Sequence, residues 1–152
     1  MFKFVVKYLG FLKSIPLLAH LFDSQLKLWL LLTNAALLDS FDAIETEVLS
    51  WNGTSVSLHK YGGLQFNCNG KEIGHIHSNG ILDIRFNRKQ KLQLMAEGRI
   101  SDHHIFTNSG WTSFYVRNSE DVAYASGLLK MAYLKMNADV RVPFTPPPLR
   151  IC

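Results

Sequence analysis

The sequence predicts an α+β fold: an antiparallel β-sheet of about four or five strands with helices packed on one face, preceded by an N-terminal helical extension. Asn69-Gly70 and Ser78-Asn79-Gly80 are tight-turn sequences between short apolar runs, and tight turns join antiparallel strands. Apolar residues at helical spacing lie before and after these runs, as in α+β proteins. A chain of 152 residues, 47% apolar and 18% charged, can bury one core, which excludes a disordered chain.

The first half of the domain is predicted as one helix followed by four strands. The helix has apolar residues at helical spacing, and Asp39 or Ser40 can cap its start. The first strand contains β-branched residues, and the second alternates apolar with polar residues. The third and fourth strands flank the turn at Ser78-Asn79-Gly80. These elements cover residues 40–50, 54–59, 64–68, 71–77 and 81–86.

The second half is predicted as a helix, a strand and a helix. Asn87 can cap the first of these helices, and Gly98 can end it in the left-handed conformation. Trp111 opens the strand. Asn118 or Ser119 opens the last helix, which carries an apolar stripe. These elements cover residues 87–97, 111–117 and 119–136.

Three zones of composition divide the chain. Residues 1–38 are apolar and lightly basic, residues 39–136 form the α+β domain, and residues 137–152 are a tail that contains Pro146-Pro147-Pro148. The tail has no helix or strand pattern, so an extended conformation is expected there.

The N-terminal zone, 1–38, is predicted as amphipathic helices that do not cross a membrane. Lys13 and Pro16 interrupt a signal-like apolar region, and Asn34 breaks the apolar run before it is long enough to span a bilayer. Ser24 can cap the second helix. We expect the apolar face to be covered by the domain, by a second copy of the chain in a homo-oligomer, or by a membrane surface.

Charge and cysteine content narrow the class of protein. Sixteen basic against 12 acidic residues give a net charge of +4, which is mild for a nucleic-acid-binding protein. The two cysteines, Cys68 and Cys152, do not indicate a disulfide framework, so a reducing compartment is the simplest interpretation. We therefore expect a cytoplasmic protein, with any membrane contact peripheral.

Four short segments resemble a known family. They are His59-Lys60-Tyr61-Gly62-Gly63, Glu72-Ile73-Gly74-His75-Ile76-His77, Ala96-Glu97-Gly98-Arg99 with His103-His104, and Ser109-Gly110-Trp111. Together with Asp83 and the closing helix they resemble, over about residues 40–136, the luciferase domain (luciferase family protein) of bacteria and fungi, formerly a domain of unknown function. The resemblance does not imply bioluminescence, because a flavin-binding barrel luciferase needs a much longer chain. A looser similarity to MmcQ/YjbR-like proteins implies architecture only.

Histidines, an aspartate and a tryptophan are predicted to converge on one side of the sheet. His75 and His77 are two residues apart in a strand, so they share a face. A three-residue turn places Asp83 opposite His75, whereas a two-residue turn places Ile84 there. The first register also pairs apolar residues on the other face and is preferred. With the residues added by the resemblance, the predicted ligand-binding set is His59, His75, His77, Asp83, His103, His104 and Trp111.

Three kinds of site fit this set. The principal hypothesis is a pocket for a small molecule, with Trp111 as an aromatic wall. Alternatively, His75 held by Asp83 is a candidate catalytic acid or base. In a third arrangement, His75, His77 and His103 are candidate ligands for a divalent metal such as zinc. Whether the protein is an enzyme stays open.

A nucleic-acid-binding surface is a further alternative that the sequence does not favour. Arg88, Lys89 and Lys91 form a short cluster at a helix start, where positive charge is unfavourable, so a solvated face is expected. Glu72 and Arg85 are expected to form a solvated pair of neighbouring charges. The basic residues considered are Lys60, Arg85, Arg88, Lys89, Lys91 and Arg99.

Overall fold

The computed structural model describes residues 16–103 and 105–139. The start of the N-terminal extension, His104 and residues 140–152 lie outside the described residues. Residues 137–139, predicted as part of an extended tail, instead continue the last helix. The elements are α1 (Pro16–Thr33), α2 (Ala35–Leu49), β1 (Thr54–Leu58), β2 (Leu64–Cys68), β3 (Lys71–Ile76), β4 (Ile81–Arg85), α3 (Arg88–Ala96), β5 (Ser101–Asp102), β6 (Trp111–Tyr115), a short 3₁₀ helix (Ser119–Asp121) and α4 (Val122–Asp139).

The six strands form one sheet in the order β1-β2-β3-β4-β6-β5, and every neighbouring pair is antiparallel. The predicted α+β class with an antiparallel sheet is confirmed. The strand count is slightly higher than predicted because β5 is a sixth strand. With two residues, β5 is too short to show the alternation by which strands are recognised in a sequence.

The hydrophobic core lies between the sheet and helices α2 and α4. On this face Gly74 of β3 pairs with Ile84 of β4, and Ile76 pairs with Leu82. A Cβ atom placed on Gly74 would lie 3.0 Å from Leu129 Cδ2, so α4 packs directly over β3. Because the helices cover this face, the side chains that alternate with these apolar residues point to the opposite, polar face.

Two predicted helix starts are wrong, and both helices begin earlier. Helix α2 begins at Ala35, because the buried stripe that contains Phe41 extends upstream to Leu37. Ser40 therefore lies inside the helix and donates a hydrogen bond to the Ala36 carbonyl. Ser24, the predicted cap, likewise lies inside α1, where its hydroxyl donates to the carbonyl four residues earlier.

The predicted boundaries of α3 are confirmed. The Asn87 side chain accepts a hydrogen bond from the Gln90 N–H, and the Gln90 side chain accepts one from the Asn87 N–H, which is a capping box. At the other end Gly98 has φ of +77°, the left-handed conformation that ends a helix.

Helix α1 is attached to the body of the domain by a polar contact. Asp23 accepts a 2.6 Å hydrogen bond from the Ser78 hydroxyl in the β3–β4 turn, and it also pairs with Lys27 at 3.4 Å. Among the described residues, every helix is too short or too polar to cross a bilayer.

The β1–β2 turn lies directly against the backbone of β3 at Gly63. This residue has φ of +89°, and a Cβ atom there would collide with the Ile76 carbonyl oxygen. The close approach brings His59, whose N–H donates to the Gly63 carbonyl, beside β3. Gly63 is thus the residue that allows β1 to contribute a histidine to the polar face.

Gly63→Ala should destabilise the fold far more than Gly70→Ala. Both glycines have positive φ, but a Cβ atom on Gly70 would meet nothing within 4 Å of the described structure. Urea denaturation should give a loss of roughly 1 kcal/mol for Gly70→Ala and at least about 3 kcal/mol for Gly63→Ala. Equal losses would show that the turn does not press on β3.

Candidate functional site

The polar face of the sheet is centred on Asp83. Antiparallel pairing sets Asp83 of β4 between His75 of β3 and Ser113 of β6. Residues paired in this way point to the same face, so the three side chains meet. The pairing confirms the predicted three-residue turn over 78–80, in which the His77 N–H donates to the Ile81 carbonyl.

The Asp83 side chain is fully buried. Its Oδ1 accepts a 2.5 Å hydrogen bond from Ser113 Oγ. Its Oδ2 has no hydrogen-bond partner among the described residues. The Nε2 atoms of His75, His77 and His103 stand 3.5, 3.8 and 3.5 Å from it, beyond the roughly 3.2 Å limit of a good N–H···O bond. A buried carboxylate oxygen in this state is costly for folding.

His75 lies between two carboxylates. Its Nδ1 is 2.5 Å from Glu72 Oε1, and its Nε2 faces Asp83. Strict alternation would put Glu72 on the other face, but the β2–β3 register shifts between Phe66 and Asn67. This β-bulge turns Glu72 to the polar face. The expected solvated pair of Glu72 with Arg85 is therefore wrong, because Glu72 binds His75.

His59 and His77 complete one side of the cluster. The His59 ring stacks on the His75 ring, with centroids 3.8 Å apart and planes at 7°. The His77 ring stands nearly perpendicular to His75, at 83°, with centroids 4.9 Å apart. His59 is buried, whereas 24% of the His77 side chain is exposed. The cluster therefore reaches solvent at His77.

His103 approaches Asp83 from the loop after β5. Its Nδ1 accepts hydrogen bonds of 3.1 Å from the N–H groups of Ile105 and Phe106. A ring nitrogen that accepts cannot carry a proton, so the His103 proton sits on Nε2, which faces Asp83. His103 is therefore oriented as a donor toward the buried carboxylate.

The loop that carries His103 is held by Lys91. Its buried Nζ donates to Asp102 Oδ1 and to the carbonyl oxygens of Thr107 and Ser109, at 2.5, 2.8 and 2.9 Å. The expectation that Lys91 lies on a solvated face is wrong. The signal was present in the sequence, because Lys91 and the buried Leu94 are three residues apart and share one face of α3.

The histidines of the cluster differ in pKa: that of His75 is raised, and those of His59 and His77 are lowered. Burial would lower the pKa of His75, but Asp83 and Glu72 outweigh it and raise the pKa above its ordinary value. Burial, with the charge of His75, lowers the pKa of His59 and that of His77 to about 4. Burial would raise the pKa of Asp83, yet His75 and Ser113 keep it below its usual range. The arrangement can hold one proton on His75 while its neighbours stay neutral.

The structure brings together most of the predicted site residues. Trp111 is half-buried, with its ring 5.4 Å from His75 and 6.2 Å from His103 between centroids. Ring nitrogens of His59, His75 and His77 lie within 4.8 Å of one another, a spacing that could hold a metal ion. The predicted residue His104 lies outside the described part of the chain. Sequence reasoning missed Glu72 and Ser113 as members of the cluster.

Fold and site together define a small α+β protein with a buried histidine–carboxylate cluster on the polar face of its sheet. The family model described as Luciferase domain matches residues 70–132. This match confirms the resemblance for that segment, which is similar to the luciferase domain. The matched segment covers less than half of the chain and contains the described cluster except His59. No curated protein and no solved structure matches the chain.

Acid should destabilise the metal-free protein between pH 6.5 and about 4. The folded-state pKa values of His59 and His77 are about 4, below the unfolded value of 6.5, so the unfolded chain binds more protons in this window. Their contribution is complete above pH 6.5 and is lost as the pH falls. Each histidine accounts for up to roughly 3 kcal/mol.

Urea denaturation at several pH values, with a chelator present, measures this loss. His77→Asn should remove about half of the acid sensitivity, since one of the two neutral histidines is gone. A free energy of unfolding that is flat from pH 6.5 to 4.5 would contradict the assignment of neutral His59 and His77.

Proposed function

We propose that the histidine cluster binds a small ligand that carries positive charge or hydrogen-bond donors. The observation that supports the proposal is the buried Asp83 carboxylate, whose Oδ2 lacks a hydrogen-bond partner among the described residues. Imidazole nitrogens at 3.5 to 3.8 Å offset only part of the cost of burying this oxygen, and a hydrogen bond left unmade by a buried group costs about 1–3 kcal/mol. Polar groups held in this state, with perturbed pKa values nearby, are typical of functional sites.

The charges and lone pairs around the site define the ligand class. Glu72 and Asp83 contribute two negative charges, and a protonated His75 returns one positive charge. His59 and His77 are neutral acceptors, and His59 Nδ1 is buried with no partner among the described residues. A donor or a cation complements this surface, whereas an anion would meet a net negative charge.

Access to the site is expected at the half-exposed edge of the cluster. There the His77 side chain reaches solvent, and the Trp111 ring lies beside His75. An aromatic face next to polar groups is a common way to position a small ligand. This supports the small-ligand pocket over a flat macromolecular surface.

Histidine NMR signals provide the test. Wild-type protein is titrated with guanidinium, methylammonium, acetamide and Zn²⁺, and the His75 and His77 signals are followed. At least one probe should bind, and Asp83→Asn should weaken it by about tenfold or more, because a charged acceptor is lost. Asp39→Asn, a change on the exposed surface of α2, is the matched control. If none of the four probes moves these signals, the binding proposal fails.

A second function is favoured by the surface of α1. We propose that α1 rests on an anionic membrane surface. Trp29 is 65% exposed and Leu32 is 75% exposed, and the apolar side chains exposed on this helix are Leu21, Phe22, Leu28, Trp29, Leu31 and Leu32. The charges within the helix, Asp23 and Lys27, neutralise each other.

The charge of the preceding sequence supports lipid over a second protein copy. Residues 1–15 contain Lys3, Lys7 and Lys13 and no acidic residue. Basic residues beside an exposed apolar helix match the headgroups and the acyl boundary of an anionic bilayer.

Vesicle co-sedimentation of the full chain tests this second proposal. Binding to phosphatidylcholine vesicles that contain phosphatidylglycerol should exceed binding to phosphatidylcholine alone. The double variant Trp29→Glu/Leu32→Glu should reduce binding by about tenfold or more, and Leu134→Glu on the exposed surface of α4 should not. Failure to bind vesicles, with a dimer that the double variant dissociates, would identify a second copy as the partner instead.

A further inference from the structure

We propose that His75, His77 and Asp83 bind one divalent transition-metal ion of the zinc class, and that Glu72 and Ser113 orient the ligands. The inference rests on the proposed ligand-binding function and names the cation. This set of ligands differs from the set chosen by the distances between ring nitrogens alone, which is His59, His75 and His77. Four geometric observations support this choice of residues.

The first observation is the spacing around Asp83 Oδ2. The Nε2 atoms of His75 and His77 are 3.5 and 3.8 Å from this oxygen. Zinc binds nitrogen and oxygen at about 2.0–2.1 Å, so a tetrahedral ion separates its ligand atoms by about 3.3–3.4 Å. Each of the two nitrogens is thus too far from Oδ2 for a good hydrogen bond and close to the spacing that an ion shared with this oxygen requires.

The second observation is the angle between rings. A metal ion lies close to the plane of each imidazole that binds it, because the nitrogen lone pair lies in that plane. The His75 and His77 planes cross at 83°, so one ion can lie in both. His59 stacks on His75 at 7° with centroids 3.8 Å apart, and two such parallel planes cannot both contain the ion. His59 therefore covers His75 and does not bind the metal.

The third observation is the set of contacts behind the ligands. Glu72 faces Nδ1 of His75, which leaves Nε2 for the ion once its proton is displaced. A carboxylate behind a metal-binding histidine fixes the ring and raises its basicity. Ser113 occupies Oδ1 of Asp83 and leaves Oδ2 directed at the histidines. The ion would also balance the two carboxylate charges.

The fourth observation removes His103 from the candidate ligands. Its Nδ1 accepts two backbone N–H groups, so its Nε2 carries the proton and has no lone pair to offer. The proposed set therefore keeps His75 and His77 of the predicted metal ligands and has Asp83 in place of His103. Three protein ligands leave one position of a tetrahedral ion for water or a small molecule, the pattern of zinc sites that act on a substrate.

Calorimetric titration of the EDTA-stripped full chain with Zn²⁺ tests the assignment, and Co²⁺ absorption reports the geometry. One ion should bind per chain, and the Co²⁺ complex should show the strong visible bands of a tetrahedral site. His77→Ala should weaken binding by at least about 100-fold, and Glu72→Gln by about tenfold. Circular dichroism verifies that each variant is folded.

Two matched variants keep the proposal falsifiable. His59→Phe keeps a stacked ring without a ligand atom, and His20→Ala removes a histidine of α1. His20→Ala should bind Zn²⁺ within about threefold of wild type, and His59→Phe, which changes only the ring that covers His75, should lose much less affinity than His77→Ala. Absence of stoichiometric Zn²⁺ binding, or equal losses for His59→Phe and His77→Ala, would overturn the assignment. If Zn²⁺ fails but guanidinium or acetamide binds the same histidines, the ligand-binding function stands without the metal.

Discussion

The buried negative charge of Asp83 is the constraint on which the rest of the polar face depends. A carboxylate removed from water must be compensated by donors or cations, or it becomes a large cost to folding. Ser113 supplies one hydrogen bond to Oδ1, and the Nε2 atoms of three imidazoles stand 3.5 to 3.8 Å from Oδ2, longer than a good hydrogen bond. The compensation is therefore incomplete on the side where the cluster approaches solvent.

The apolar core that stabilises the fold and the polar cluster that forms the site lie on opposite faces of the sheet. Helices α2 and α4 pack on one face of the sheet and bury the apolar core, so the other face can carry charge. Two loops then close over that face. Gly63 lets the β1–β2 turn press on β3, and Lys91 ties the loop after β5 to α3. Each loop contributes one histidine, which a flat sheet could not hold in place alone.

The sequence predicts those features of the fold that depend on residues near one another along the chain. Turn residues and alternation predicted the strands, and the three-residue turn predicted the pairing of His75 with Asp83. The same rules failed at Glu72, because a β-bulge reverses the face that alternation assigns. At Lys91 the three-residue spacing from the buried Leu94 indicates burial, but the carbonyl oxygens that bind its ammonium group belong to a distant loop that no local pattern reveals. The start of α2 was misplaced because a buried stripe is a better guide to helix extent than a polar residue that resembles a cap.

The stacking of His59 on His75 depends on chain segments that meet only in the folded state. In sequence, His59 is simply one residue after a strand, and nothing nearby predicts a parallel ring 3.8 Å from another histidine. The stack matters because a neutral ring over a charged one keeps His75 shielded from water. Burial is the first cause of the lowered pKa of His59 and the charge of His75 is the second, so the two residues must be considered together.

The protonation pattern of the four described histidines around Asp83 is the most direct test of this account. Long-range ¹H–¹⁵N NMR of the metal-free protein at about pH 6 reports which ring nitrogens carry protons. We expect a doubly protonated His75, neutral His59 and His77, and His103 protonated on Nε2. A His75 ring with a single proton, or His103 protonated on Nδ1, would contradict the carboxylate-centred arrangement from which the site has been derived.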